Sequence, residues 1–144
     1  MKHAMWVIVA FAILITPPVL AEERLSVSTG IANVRSGPGL NHEILWKVQK
    51  YYPVLVLNKE GGWYQFKDFE GDTGWIHASV LSNTATVITK ADKCNVRNGP
   101  GTEFPVVFTV QNGIPFRVLT RKGPWIQIRH ADGDQGWIHQ SLVW

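Results

Sequence analysis

Asn33-Val34-Arg35-Ser36-Gly37-Pro38-Gly39 reads as the end of a strand running into a Gly-Pro-Gly turn. It recurs 62 residues later as Asn95-Val96-Arg97-Asn98-Gly99-Pro100-Gly101. The same offset holds without a gap to the end of the sequence. Gly61 and Trp63 fall on Gly123 and Trp125, and Gly71-Asp72 falls on Gly133-Asp134. Gly74-Trp75-Ile76-His77 falls on Gly136-Trp137-Ile138-His139, and Ser79 on Ser141. A length of 144 residues would ordinarily suggest one domain, but an ungapped internal repeat takes precedence. The repeat implies two units of about 60 residues each, near the lower end of what folds alone.

Around the motif, short β-branched and aromatic runs alternate with Gly, Pro, Asn and Asp, and no helical period is present beyond the N-terminal segment. Strands are expected at 25–28, 32–35, 44–48, 54–58, 63–67 and 74–77, and again 62 residues on. The fold class is therefore all-β: two tandem small β-barrels. Asn112-Gly113 is a tight-turn signal, because both residues tolerate positive φ. The first repeat carries Lys50-Tyr51 there, so that turn is expected to differ in type. Glu70-Gly71-Asp72 and Asp132-Gly133-Asp134 read as hairpin tips, and residues 82–86 as the one short linker.

Side chains alternate across a strand. Trp63, Gln65 and Lys67 therefore share one face, and Tyr64 and Phe66 the other. In the second repeat Trp125, Gln127 and Arg129 oppose Ile126 and Ile128. The Tyr/Phe/Ile face belongs to the core, which leaves Trp63 and Trp125 half exposed on the polar face.

Residues 1–21 read as a secretory leader. Lys2 supplies the positive start, residues 4–15 an apolar run, and Thr16-Pro17-Pro18 a break. Val19-Leu20-Ala21 places small residues for cleavage before Glu22. The run falls short of the roughly 20 residues a spanning helix needs, so membrane contact is expected only in transit. The expected plan is a leader at 1–21, one module at 22–82 and a second at 83–144, with a periplasmic or secreted location. Cys94 is the only cysteine and has no partner for an internal disulfide. Its counterpart is Ala32, so a small apolar slot on a strand accounts for both.

The formal charge of +3 is unevenly spread. Residues 22–82 hold six Lys/Arg and seven Asp/Glu, and residues 83–144 hold seven and four. A mildly basic second repeat would suit an anionic partner such as cell-wall polymer or lipid headgroups, but a solvated surface is the simpler account. No Lys/Arg run marks a nucleic-acid binder.

Asn-Val-Arg-x-Gly-Pro-Gly, then Gly-x-Trp, then Gly-x-x-Gly-Trp-Ile, resembles the bacterial SH3 (SH3b) family over both repeats. The resemblance implies a small bent barrel per repeat, acting as a binding attachment in exported proteins and often directing enzymes to peptidoglycan. A more distant likeness to eukaryotic SH3 domains puts Trp63 and Trp125 at the ligand-stacking position. Those domains carry an acidic first loop for proline-rich peptides, whereas residues 36–43 and 98–105 hold one acid each. Trp46 and Phe108 depart from the bacterial family, which commonly has a small residue there.

Catalytic chemistry is not expected. No Ser-His-Asp, Cys-His or paired-carboxylate arrangement stands out, and the two modules use up the chain after the leader. His77 and His139 recur without a duplicated acid beside them, which favours a structural role at the strand end. The acids around Gly71 and Gly133 suit turns, and neither a metal nor a cofactor is expected. The candidate ligand-binding side chains are Trp63, Trp125, Trp75, Trp137, Trp46 and Phe108, since a half-exposed indole offers a rigid surface at low entropic cost. The expected partner is peptidoglycan or an envelope protein. The competing reading is an assembly module whose aromatic faces bury each other between repeats or in a homodimer. Arg35 and Arg97 are expected to anchor their turns.

Overall fold

The structure is a computed structural model and describes residues 7–16 and 22–144. Residues 7–16 have no regular secondary structure and are exposed. The rest of the expected leader, with its cleavage site, lies outside the described residues. No helix among the described residues is long and apolar enough to cross a membrane.

The strands of the first sheet are β1 (Glu23–Val27), β2 (Ile31–Arg35), β3 (Ile44–Gln49), β4 (Pro53–Glu60), β5 (Trp63–Lys67), β6 (Thr73–His77) and β7 (Leu81–Ser82). The second sheet holds β8 (Thr86–Ile88), β9 (Cys94–Arg97), β10 (Val106–Val110), β11 (Pro115–Lys122), β12 (Trp125–Arg129) and β13 (Gln135–His139). The spatial orders are β3-β2-β6-β5-β4-β1-β7 and β10-β9-β13-β12-β11-β8, so one topology is used twice. The all-β class and the tandem organisation read from the repeat are those of the structure.

Each sheet bends at matching places. The β4–β5 register shifts between Val56 and Asn58, and the β11–β12 register between Val118 and Thr120. A bulge of this kind increases local twist and lets a long strand turn a corner. Gly74 and Gly136 meet a second geometric demand. A Cβ on Gly74 would overlap Val34 Cγ1, and one on Gly136 would overlap Val96 Cγ1. These glycines let β6 and β13 lie close against β2 and β9.

Val34, Val54, Phe66 and Ile76 are fully buried in the first core. Val96, Phe116, Ile128 and Ile138 occupy the second. Cys94 sits in that second core as Ala32 does in the first. Burial pushes its thiol pKa up, the opposite of what a reactive thiolate requires.

β8 joins the two halves. Val87 packs into the second core, but its neighbour Ile88 points the other way into the first. Trp144 follows it. Its backbone exchanges two hydrogen bonds with Ile88 (2.9 and 3.0 Å), and its ring packs against the first core.

The Lys50-Tyr51 and Asn112-Gly113 turns differ in closure, since Tyr52 N–H donates to Gln49 O (3.2 Å) but Ile114 N–H to Thr89 Oγ1 (2.9 Å), yet they share one backbone feature. Tyr51 has φ +72° and its counterpart Gly113 has φ +78°. The two turns share the left-handed conformation despite their different residues. The cause is tertiary: Tyr51 N–H donates to Val27 O (2.8 Å) and Gly113 N–H to Thr89 O (2.7 Å). That pairing holds the backbone where a non-glycine residue is normally strained.

Candidate binding site

The Asn-Val-Arg strand obeys the two-residue period. Val34 is buried, while Asn33 is exposed and Arg35 half-buried on the outer face. Each arginine then ties down the loop that follows. Arg35 Nη1 donates to Leu40 O (3.2 Å) and His42 O (2.9 Å). Arg97 Nη1 donates to Thr102 O (3.1 Å) and Phe104 O (3.0 Å). These bonds are the anchoring role expected from sequence. Gly37 and Gly99 serve that loop by being small: a Cβ on either would strike the His42 or Phe104 ring.

The outer face of β5 and β6 carries the aromatic pairs. Register places Trp63 opposite His77 and Gln65 opposite Trp75, with Trp75 also opposite Arg35. The second module repeats this with Trp125–His139, Gln127–Trp137 and Trp137–Arg97. Trp63 and His77 meet edge to face at 5.1 Å between centroids and 83° between planes; Trp125 and His139 do so at 5.2 Å and 87°. The histidines are themselves held. Nδ1 of His77 accepts from Ser79 N–H (3.2 Å), and Nδ1 of His139 from Ser141 N–H (3.2 Å), each capping a short 3-10 turn. His-x-Ser spacing thus orients an indole through an imidazole, and each indole stays half-buried rather than lost to the core.

A shallow depression opens between this pair and the Asn-Val-Arg strand. In the first module it has about 210 Å³ and is lined by Ile31, Asn33, Arg35, Leu40, Trp63 and His77. In the second it has about 240 Å³ and is lined by Lys93, Asn95, Arg97, Thr102, Trp125 and His139. The Asn, Arg, Trp and His are the same in both copies. The rim differs, with Ile31 and Leu40 replaced by Lys93 and Thr102. Each depression is lined by its own module alone.

The six aromatics proposed from sequence therefore divide. Trp63 and Trp125 line the depressions, and Trp75 and Trp137 extend the same outer face. Trp46 and Phe108 do not join them. Trp46 pairs in register with buried Val34, packs edge-on against Phe66 at 6.3 Å and lines a different hollow with Tyr52 and Asp68. Phe108 lines a separate hollow with His130 and Asp132. Sequence reasoning left out Asn33, Asn95 and the rim residues as contacts. Nothing local in the sequence shows that β2 pairs with β6 and so brings Asn33 and Arg35 to Trp63. Among the described residues no group of three or more His, Cys, Asp or Glu is arranged to hold a metal.

A family model described as bacterial SH3 domain matches residues 28–83 and again residues 90–144. A Bacillus subtilis protein bearing the name of an N-acetylmuramoyl-L-alanine amidase is 28% identical over 85% of this chain and 26% of its own length. The probable cell wall amidase LytH of Staphylococcus epidermidis is 35% identical over 35% of this chain and 18% of its own. The chain thus spans about a quarter or less of these relatives. Among solved structures, an NlpC/P60 family protein from Bacillus cereus aligns over 85% of this chain and 56% of its own, at 11% identity and a TM-score of 0.41.

Proposed function

The chain belongs to the bacterial SH3 domain family, and from that premise we propose that it is an exported, non-enzymatic pair of binding modules that attaches to peptidoglycan or to an envelope protein. The observation that carries this reading is the repeated depression, with one Asn-Arg-Trp-His set presented twice. The relatives named as cell-wall amidases support the cell wall as the place of action and an extracytoplasmic location.

The depression suits an extended polymer. It is too shallow to enclose a small molecule, and its wall is an indole fixed by His77 or His139. A sugar ring or a glycine-rich peptide stacks on such a surface without ordering a mobile side chain. Asn33 supplies an amide, which both donates and accepts. Arg35 has further N–H groups beyond the Nη1 engaged with the loop. Two depressions on one chain add by avidity if a polymer reaches both.

The assembly reading finds support in other residues. Ile88 and Trp144 pack across the modules, a contact internal to the chain that leaves both depressions open.

Co-sedimentation of the full chain with purified sacculi, alongside a pull-down from envelope extract, tests the proposal. Trp63→Ala with Trp125→Ala is expected to weaken binding at least about tenfold, the scale of a buried aromatic contact. Circular dichroism checks that the double variant keeps its sheet signal. Unchanged binding by a folded double variant would remove the depressions from the account.

A further inference from the structure

Outside the two depressions, a cleft of about 380 Å³ lies where the modules meet. β1 contributes Arg24 from the first module and β11 contributes Arg121 from the second. Thr84 and Thr86 form part of the floor, and Gln140 and Trp144 one wall. The Arg24 guanidinium lies over the Trp144 ring, 4.1 Å from its centroid, and the stacking holds the charge in place.

Among the described residues neither arginine has an acidic partner. The ion pairs among the described residues are Lys59–Glu23 and His130–Asp132, so the acid next to Arg24 in sequence is already held by a lysine, at 2.7 Å. Among the described residues no side-chain hydrogen bond is made by Arg24 or Arg121, in contrast to Arg35 and Arg97 with their two each. Desolvation first, and then the charge of Arg121, lower the Arg24 pKa from its ordinary value. Two like charges facing one cleft destabilise each other unless an anion sits between them.

We propose that the inter-module cleft is an oxyanion-binding site, taking a phosphate or carboxylate group between Arg24 and Arg121. Guanidinium is suited to this role because its planar fork matches either oxyanion with two parallel N–H bonds. The hydroxyl and amide groups of Thr84 and Gln140 extend the donor set. Because the two arginines come from different modules, a bound oxyanion also bridges the modules. The site is separate from the Trp–His depressions and stands or falls without them.

The test is a two-dimensional NMR titration of the full chain with inorganic phosphate or with acetate, each against sodium chloride at equal ionic strength. Saturable shifts at the Trp144 indole and the Arg24 and Arg121 side chains are expected with at least one probe. Saturation by phosphate alone assigns phosphate chemistry, and saturation by acetate alone assigns a carboxylate. The bound anion should also raise the thermal midpoint by about 3 °C at concentrations well above Kd. Arg121→Gln should remove both responses, while Lys122→Gln, the adjacent position with the same loss of charge and outside the cleft lining, should keep them. No saturable shift with either probe would overturn the proposal. So would an equal loss in the two variants, which would mark a general charge effect.

Discussion

Beneath the β5–β6 turn of the first module, Tyr52 donates a hydrogen bond to the Asp68 carboxylate at 2.8 Å, and both residues are buried. The equivalent positions of the second module hold Ile114 and His130. Asp68 also accepts from the backbone N–H groups of Glu70 and Asp72, organising the hairpin tip from below. At the second tip an exposed Asp132 accepts from Asp134 N–H, which holds its carboxyl below the ordinary value, with His130 beside it adding to the effect. The surroundings explain the contrast. Phe69 packs edge-on against Tyr52, and Gly113 of the second module lines the same hollow, so the first tip is partly covered by its neighbour. The second has no such cover and is organised by exposed groups. By contrast, Asn, Arg, Trp and His around the outer depressions are the same in both copies. One scaffold accepts different solutions where it only has to close a turn, and keeps one solution on the face that we propose binds.

The largest expected effect concerns the strand that joins the copies. Ile88→Ala should cost about 2–5 kcal/mol, the range for truncating a fully buried aliphatic side chain. The loss should fall on the first module although Ile88 belongs to the second sheet. Thermal unfolding followed by amide exchange of β4 and β5 would show it, and protection lost only in β11 and β12 would break the assignment.

Tyr52→Phe should cost about 1–3 kcal/mol, because it leaves the buried Asp68 carboxylate short of a donor. It also carries a pH signature. Burial, and then the hydrogen bond to Asp68, raise the Tyr52 pKa well above the ordinary phenol value. The folded state thus favours the neutral phenol, so this stability is fully present below about pH 10 and declines as the pH rises further. Alkaline denaturation of wild type against Tyr52→Phe measures it. The variant should lose less stability between pH 10 and higher values, and an identical profile would separate Tyr52 from the effect.

Tyr51→Gly should stabilise by about 1 kcal/mol, since it relieves a left-handed conformation at a residue with a Cβ. Denaturant midpoints check the sign, and a destabilised variant would show that the Tyr51 ring matters more than its backbone. The smallest effect is expected at the rims. Lys93→Ile should lower the salt sensitivity of sacculus binding while changing affinity only a few-fold, because an exposed charge acts mainly through a screened field.

Much of this architecture was legible before any coordinates. The repeat counted the modules, alternation sorted Phe66, Ile126 and Ile128 inward and Trp63 and Trp125 outward, and Arg35 and Arg97 read as loop anchors. Two features were not legible for one reason. The Lys50-Tyr51 and Asn112-Gly113 turns share a left-handed residue, and Trp46 and Phe108 stand apart from the depressions. Both depend on contacts with residues distant in sequence: Val27 and Thr89 for the turns, Val34 and Phe66 for Trp46.

The sequence by itself determined the class, the number of units and the faces of the two Trp strands, because these follow from a period of two and an offset of 62 residues. Only the tertiary structure decided that Asn33 and Arg35 share a depression with Trp63. It alone showed that Ile88 and Trp144 serve the other module's core, and that Arg24 faces Arg121. Strand pairing is non-local, and a sequence that repeats exposes the rules within a unit while hiding the contacts between units, where the two copies cannot be alike.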